Sequence, residues 1–208
     1  MPHRADAKVD TYSSFADLAA HEVRGRDYDL LVRHRNGTRV VIIAPHGGGI
    51  EPETARIAKG IAGAEFSLYC FKGLKRNGNG RLHITSHSFD EPECLSLIAK
   101  HQWVLAIHGC ADAGERVFLG GLDKSLIADL STALEAVGIR AETSGHEYTG
   151  VHPLNICNRG ARGAGAQFEL SLPFRRDDRV LVFVETVRSV LAGRQNELET
   201  KVAGVIYF

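Results

Sequence analysis

The stretch that decides the fold comprises residues 40–51 and reads VVIIAPHGGGIE. Its apolar, β-branched beginning predicts a strand over residues 39–44. Three consecutive glycines follow, and they allow the backbone to turn sharply and to approach another group closely. The apolar spacing of residues 53–62 then predicts a helix. Because ligands bind at the carboxyl ends of strands in open α/β sheets, His46 and Glu51, which bracket the turn, are candidates for a functional site.

Strands and helices alternate along the rest of the chain. Further strands are predicted over residues 28–32, 66–71, 82–85, 103–107, 116–119, 139–142 and 167–172, and further helices over residues 91–100, 122–137 and 177–191. Asn36-Gly37 predicts a hairpin turn between the first two strands. This order predicts an α/β fold, a three-layer sandwich whose central sheet is mixed and largely parallel. We expect one domain over residues 1–208, with about ten N-terminal and about fifteen C-terminal residues peripheral.

Composition narrows the class of protein. Lysine plus arginine and aspartate plus glutamate number 25 each, so the formal net charge is zero, whereas a nucleic-acid binder would need a basic surface. No apolar run reaches the roughly 18 residues that span a bilayer, and residues 1–10 lack the apolar core of a signal peptide. We expect a monomer without nucleic-acid or membrane partners, cytoplasmic or released on lysis. The four cysteines form no C-x-x-C pair and are predicted to be buried free thiols.

A second predicted strand ends in the same way as the first. Residues 103–109 read WVLAIHG, a continuous apolar run followed by His108 and a glycine. Two such strand ends can converge at one edge of the sheet, where His46, Glu51 and His108 would offer two nitrogens and a carboxylate. That set, with a fourth position open for water, is typical of a catalytic zinc site. The alternative is two core histidines bonded to backbone and a glutamate favoured by a helix N-terminus.

Glu169 lies in the middle of the predicted strand that reads AQFELSL, residues 166–172. Strand alternation places Phe168 and Glu169 on opposite faces, and Glu169 shares its face with Gln167. The functional interpretation is a general base and acid beside a zinc-bound water. The alternative is an ordinary solvent-facing carboxylate.

A long irregular stretch, residues 145–165, contains two arginines. Loops of this length in compact domains are usually functional or mobile. Arg159 or Arg162 could bind a substrate carboxylate through its planar guanidinium, or either could serve solubility alone. Four other histidines are interpreted as surface or substrate-side residues without an assigned role: His83, His87, His146 and His152.

Six short motifs, in this order, resemble the phage and bacterial poly-γ-glutamate hydrolase family. They are PHGGGIEP (45–52), LHITS (82–86), FDEP (89–92), IHG (107–109), NRG (158–160) and FELS (168–171). The resemblance runs from about the Asn36-Gly37 turn to about Ala192. It implies a zinc-carboxypeptidase-like fold and hydrolysis of γ-glutamyl amide bonds in poly-γ-glutamate.

The resemblance also implies roles for particular residues. His46, Glu51 and His108 would be the zinc ligands and Glu169 the catalytic base. The pair Asn158 and Arg159 would bind a substrate carboxylate. Zinc carboxypeptidases place two residues between the first histidine and the glutamate, whereas four lie between His46 and Glu51, so the role of Glu51 follows from the closer family.

Three other functions remain compatible with the residues. A zinc site does not specify its amide, so the substrate could be peptidoglycan or an N-acyl amino acid. A non-catalytic metal-binding module would need the ligands but would have no use for Glu169 as a base. The HGGG segment also matches the oxyanion loop of serine esterases, but the chain has no G-x-S-x-G nucleophile motif.

Overall fold

The computed structural model describes residues 10–205, within which seven strands form one sheet. The strands are β1 (Tyr28–Arg33), β2 (Val40–Gly48), β3 (Ser67–Gly73), β4 (Trp103–Cys110), β5 (Val117–Gly121), β6 (Ala141–Glu142) and β7 (Ala166–Ser171), in the order β1-β3-β2-β4-β7-β5-β6. The helices are α1 (Phe15–His21), α2 (Thr54–Ala62), α3 (Pro92–Ile98), α4 (Lys124–Ala136), α5 (Leu172–Arg176) and α6 (Arg179–Val205). Two 3-10 turns cover Asn79–Leu82 and Ile156–Asn158.

Helices cover both faces of the sheet. On one face, buried side chains of α2, α4 and α6 pack against alternate residues of the central strands, such as Ile42 and Leu105. On the other face, α1, α3 and the segments around residues 82–89 and 156–157 pack against the intervening residues, such as Ile43. Alternation of side chains along a strand divides the core in this way. The predicted three-layer α/β sandwich is therefore confirmed.

The sheet is mixed and largely parallel, as predicted. The pairs β2–β3, β2–β4, β4–β7 and β5–β6 are parallel, and β1–β3 and β5–β7 are antiparallel. The predicted hairpin is wrong, because β1 pairs with β3 rather than with β2. The α2 crossover returns the chain to place β3 directly beside β2. Half-exposed β1 is left at the edge of the sheet.

Two other predicted elements differ from the structure. Residues 82–85 were predicted as a strand, but Leu82 ends a 3-10 turn and the following residues form a loop. Their backbone groups bond to side chains rather than to another strand: the Ile84 carbonyl contacts His46, and the Thr85 N–H donates to Asp10. The last helix runs to Val205 rather than ending near residue 191.

Two residues of α6 that lie within the C-terminal segment predicted to be peripheral make contacts with other elements. Arg194 donates to Asp129 at 2.9 Å, and Thr38, beside β2, donates to Gln195 at 2.8 Å. These contacts join residues 194–195 of α6 to α4 and to the segment before β2. The corresponding predictions for residues 1–9 and 206–208 lie outside the described residues.

Two compositional predictions concern membranes and thiols. Within residues 10–205, no helix combines the length and hydropathy required to cross a bilayer. All four cysteines are free and buried, which confirms the prediction.

Candidate metal centre

The sheet brings the two His-Gly strand ends together. Residues 40–43 of β2 pair in parallel with residues 103–106 of β4, so the two strands finish at the same edge. His46 lies where the pairing of β2 with β3 shifts register, and His108 continues β4 beyond its pairing with β2. Each histidine is 1% exposed.

The glycine turn carries Glu51 back toward both histidines. Gly48 has φ +65°, and a Cβ atom there would lie 2.4 Å from the Gly73 carbonyl oxygen, so only glycine fits. After the turn, the Glu51 N–H donates to the His46 carbonyl at 2.9 Å. The Gly109 N–H donates to Glu51 Oε2 at 2.7 Å. The carboxylate is thereby fixed between the ends of β2 and β4.

Three potential ligand atoms converge in this space. His46 Nδ1 lies 3.0 Å from Glu51 Oε1 and 3.1 Å from His108 Nδ1. His108 Nδ1 lies 3.9 Å from Glu51 Oε2. One atom of each residue falls within 4.8 Å of the others. The three residues predicted as ligands are thus brought into one cluster.

The hydrogen bonding of His46 tests whether the cluster fits a metal ion. Its Nε2 lies 2.8 Å from the Ile84 carbonyl oxygen, which can only accept, so Nε2 carries a proton. In the neutral ring, Nδ1 then presents a lone pair toward the Glu51 carboxylate and His108 Nδ1. A cation in the centre would satisfy these lone pairs. Tetrahedral zinc with bonds of about 2.0–2.1 Å would separate its ligand atoms by about 3.3 Å, close to the observed spacing of two of the three pairs.

The electrostatics of the cluster point the same way. Burial lowers the pKa of His46, but the Glu51 carboxylate and the Ile84 carbonyl outweigh it, so that pKa is raised. Burial raises the pKa of Glu51, but His46 and His108 outweigh it, so the carboxyl pKa is lowered. Burial and the charge of His46 lower the pKa of His108 to about 3. The site therefore holds a carboxylate that is stabilised by positive charge.

Glu169 occupies the strand next to this cluster. It is the cross-strand partner of His108 in the β4–β7 pair and lines the same cleft, while Phe168 packs in the core as predicted. Burial, and then the charge of Glu51, raise the pKa of Glu169 well above its usual range, and Arg175 opposes them. A divalent cation in the cluster would favour its ionised form. The carboxyl group is thus suited to hold or to release a proton.

Gln167 and Asn155 orient the Glu169 carboxyl group. The Cys157 N–H donates to Asn155 Oδ1 at 3.1 Å, so the Asn155 amide nitrogen faces Gln167 Oε1, 2.8 Å away. The Gln167 amide nitrogen then faces Glu169 Oε1 at 3.3 Å. Sequence reasoning placed Gln167 on the correct face, but the partner that fixes its amide lies in the irregular segment.

Asp10 and His83 flank the cluster, and sequence reasoning assigned no role to either. His83 Nδ1 contacts Asp10 Oδ1 at 2.7 Å, and the His83 ring centroid lies 4.1 Å from that of His46. Burial, and then the charge of His46, lower the pKa of His83. Asp10 belongs to the N-terminal segment predicted to be peripheral, and its carboxylate contacts a residue beside the cluster. No local pattern in the sequence signals the contact.

Arg175 is a second residue that sequence reasoning missed. It is 4% exposed and donates to the carbonyl oxygens of Pro52 and Cys110, which follow the two ligand-bearing segments. A Cβ atom on Gly109 would lie 2.5 Å from its guanidinium carbon, so the glycine at this position leaves the space that the guanidinium fills. The next residue, Arg176, is exposed, so the sequence does not indicate which of the two adjacent arginines is buried.

A cleft of about 480 Å³ opens over the cluster. Its lining includes the three candidate ligands, Glu169 and the following residues: His83, Thr85, Ser86, His87, Gly109, Glu147, Tyr148, Thr149, Gly150, Val151, His152, Asn155 and Gln167. Among residues 10–205, neither a lysine nor an arginine lines it.

Neither Asn158 nor Arg159 is among the residues that line the cleft, and their substrate-binding role stays a prediction. The Asn158 side chain is buried; its oxygen accepts from two backbone N–H groups, and its nitrogen donates to the carbonyls of Gly150 and His152. Arg159 donates to the Phe89 carbonyl at 3.2 Å. Arg162 is bonded to Asp123 at 2.6 Å. These side chains stabilise the loop.

Comparisons with known proteins agree with the sequence motifs. A sequence model of poly-gamma-glutamate hydrolase matches residues 12–199. In Bacillus subtilis (strain 168), the protein YndL is 38% identical over 169 residues, covering 80% of this chain and 66% of YndL. The SPbeta prophage-derived protein YoqZ is 36% identical over 171 residues, covering 81% of this chain and 61% of YoqZ. The chain thus spans less than two thirds of the length of these two relatives.

Solved structures show the same fold. A bacteriophage poly-gamma-glutamate hydrolase superposes with a TM-score of 0.86 at 31% identity, covering 90% of this chain and 99% of the phage chain. A zinc-free structure of YndL gives 0.82 at 34% identity, covering 88% of this chain and 98% of that one. N-formylglutamate amidohydrolase from Ralstonia eutropha JMP134, with a TM-score of 0.55 at 11% identity over 85% of this chain and 99% of its own, shares the fold alone.

The family match and the superpositions together confirm the zinc-carboxypeptidase-like fold that the motifs implied. The match extends over α1 to α6 and includes every strand of the sheet. The chain belongs to the poly-gamma-glutamate hydrolase family.

Proposed function

We propose that this protein is a zinc-dependent hydrolase of the γ-glutamyl amide bonds in poly-γ-glutamate. The observation that carries the proposal is the convergence of His46, Glu51 and His108 in an open cleft, with Glu169 on the neighbouring strand. Membership of the poly-gamma-glutamate hydrolase family supports the choice of substrate.

His46, Glu51 and His108 would hold the ion. Two imidazole nitrogens and a carboxylate are a ligand set of catalytic zinc sites, and the name of the zinc-free YndL structure supports zinc over other divalent ions. A zinc ion bound there supplies a Lewis acid for the amide carbonyl and lowers the pKa of water toward about 7. The three candidate ligands come from one chain, so the site needs no second subunit, and the proposal is a protein that acts as a monomer.

Glu169 would take a proton from the attacking water and deliver it to the leaving nitrogen. Gln167 holds one carboxyl oxygen of Glu169, which leaves the other oxygen free to exchange the proton. A non-catalytic metal-binding module would have no use for a carboxyl group prepared in this way.

Zinc content and polymer length, measured on one preparation, test the proposal. We expect about one zinc per chain and shortening of poly-γ-glutamate that stops when a chelator removes the metal. α-Linked polyglutamate is the matched control, because it carries the same charges on a different backbone and should remain intact. If zinc-loaded protein leaves poly-γ-glutamate intact but cleaves peptidoglycan or an N-acyl amino acid, the substrate assignment fails. Zinc without turnover of any of these amides would support the binding module instead.

A further inference from the structure

We propose that His87 and His152 form a binding site for a substrate carboxylate at the rim of the cleft. The inference rests on the proposed function, because every unit of poly-γ-glutamate carries a free α-carboxylate. The cleft must recognise these groups, yet among residues 10–205 neither a lysine nor an arginine lines it. Outside the metal site, histidines are therefore the only side chains among these lining residues that can carry a positive charge.

The two histidines come from different segments and face one another. Their ring centroids lie 5.1 Å apart, at an interplanar angle of 39°. Both side chains are exposed and both line the cleft. Within the described residues, neither has a carboxylate oxygen within 4.0 Å, in contrast to His83, which is paired with Asp10. The donors of His87 and His152 are thus left for a ligand.

Backbone hydrogen bonds hold the two segments together. The Ile156 N–H donates to the Ser86 carbonyl at 2.9 Å, next to His87. The His152 carbonyl accepts from the Asn155 N–H at 2.9 Å and from the Asn158 amide at 3.0 Å. The buried Asn158 therefore positions His152 rather than binding substrate itself. The exposed rings project from a fixed backbone, which reduces the ordering cost of binding.

The tautomer of His152 is also fixed. The Leu154 N–H donates to His152 Nδ1 at 3.1 Å, so Nδ1 carries a lone pair and Nε2 carries the proton of the neutral ring. His152 consequently offers an N–H donor through Nε2 in both its neutral and its charged form. A carboxylate, which only accepts hydrogen bonds, is the complementary ligand.

His87 and His152 lie close in the sequence to residues that contact the metal cluster and the Glu169 network. Ser86, which precedes His87, has its Oγ 3.4 Å from His108 Nε2. Asn155, three residues after His152, leads through Gln167 to Glu169. Glu147 also lines the cleft and is exposed, and its negative charge would disfavour a carboxylate on its own side. A polymer carboxylate in the cleft would therefore bind on the side of the two histidines.

Binding can be measured separately from catalysis in a Glu169→Gln background. The probes are a short γ-linked glutamate oligomer with free α-carboxylates and the same oligomer with its α-carboxyl groups amidated. By titration calorimetry, we expect His87→Ala and His152→Ala each to weaken binding of the free oligomer about tenfold, because a hydrogen bond to a charged group contributes on the order of 10-fold in affinity or more. His152→Gln, which keeps a donor, should recover part of the loss.

The amidated oligomer provides the discriminating control. It should bind more weakly and should be insensitive to both alanine substitutions. His34→Ala, an exposed histidine outside the cleft, should bind the free oligomer normally. Unchanged affinity for the free oligomer in both variants, or an equal loss with the amidated one, would overturn the inference. The hydrolysis assay on the wild-type protein tests the proposed function independently. A protein that binds the oligomer but does not cleave the polymer would contradict the proposed function and leave the binding inference intact.

Discussion

The two sides of the cleft differ in secondary structure, although both border the same solvent-filled space. On one side, β2, β4 and β7 carry His46, His108 and Glu169 at the edge of the sheet. On the other, residues 85–87 and 145–158 contain only one 3-10 turn and are held by side-chain amides bonded to backbone groups. The comparison predicts that changes on the sheet side abolish chemistry without loosening the fold, whereas changes on the loop side weaken binding and stability.

Removal of a candidate ligand should have the largest effect. His46→Ala or His108→Ala should reduce zinc from about one per chain to a trace and abolish hydrolysis, because the two ligands that remain cannot hold the ion. Elemental analysis and the hydrolysis assay on the same sample measure this. His101→Ala is the matched control, since this buried histidine is bonded to Leu97 and Ser67 outside the site and should keep its zinc. Full zinc in both ligand variants would mean that the metal site is misassigned.

Glu169→Gln should come next. We expect it to keep zinc and fold, because the amide is nearly isosteric, and to lose about 10²–10⁴-fold in rate, the usual contribution of a positioned base. Glu147→Gln removes an exposed carboxylate from the same cleft and should have a much smaller effect. Loss of zinc in Glu169→Gln would make Glu169 a ligand. Normal zinc with a normal rate would exclude it from the mechanism.

On the loop side, Asn158→Ala should destabilise the protein while leaving zinc in place. The substitution leaves the N–H groups of Leu122 and Gly165 and two loop carbonyls without their partner. Of these four bonds, only the one from the Gly165 N–H is fully buried, and a buried group left without a partner costs about 1–3 kcal/mol, so we expect the free energy of unfolding to fall by about 3 kcal/mol. Urea denaturation measures it, with exposed Asn196→Ala as the control. A variant as stable as the wild type would show that water replaces the amide.

Arg159→Lys should have the smallest effect. The guanidinium donates to the Phe89 carbonyl outside the cleft, so its replacement should leave KM for poly-γ-glutamate within about twofold and cost about 1 kcal/mol of stability. Steady-state kinetics on the polymer measure KM. A large rise in KM would support the substrate-binding role that the NRG motif implied. It would also mean that Arg159 does more than stabilise the loop side of the cleft.

The sheet side was the predictable side. His-Gly after each of two apolar strands indicated His46 and His108, and alternation along β7 indicated the face of Glu169. These inferences succeed because neighbouring parallel strands finish at one edge, whatever the loops do. On the loop side, the length of the segment indicated function, but the sequence did not indicate that Asn158 and Arg159 bond to backbone groups of distant segments.

The sequence by itself determined the α/β class, most strands and helices, and the set of ligand-type residues, because each depends on side chains close together along the chain. The tertiary structure alone decided that β3 separates β1 from β2, that Asp10 reaches His83 from 73 residues away, and that His87 faces His152. Hydrogen bonds between distant segments follow from how the layers pack, and no local pattern of residues encodes which backbone group a buried amide will meet.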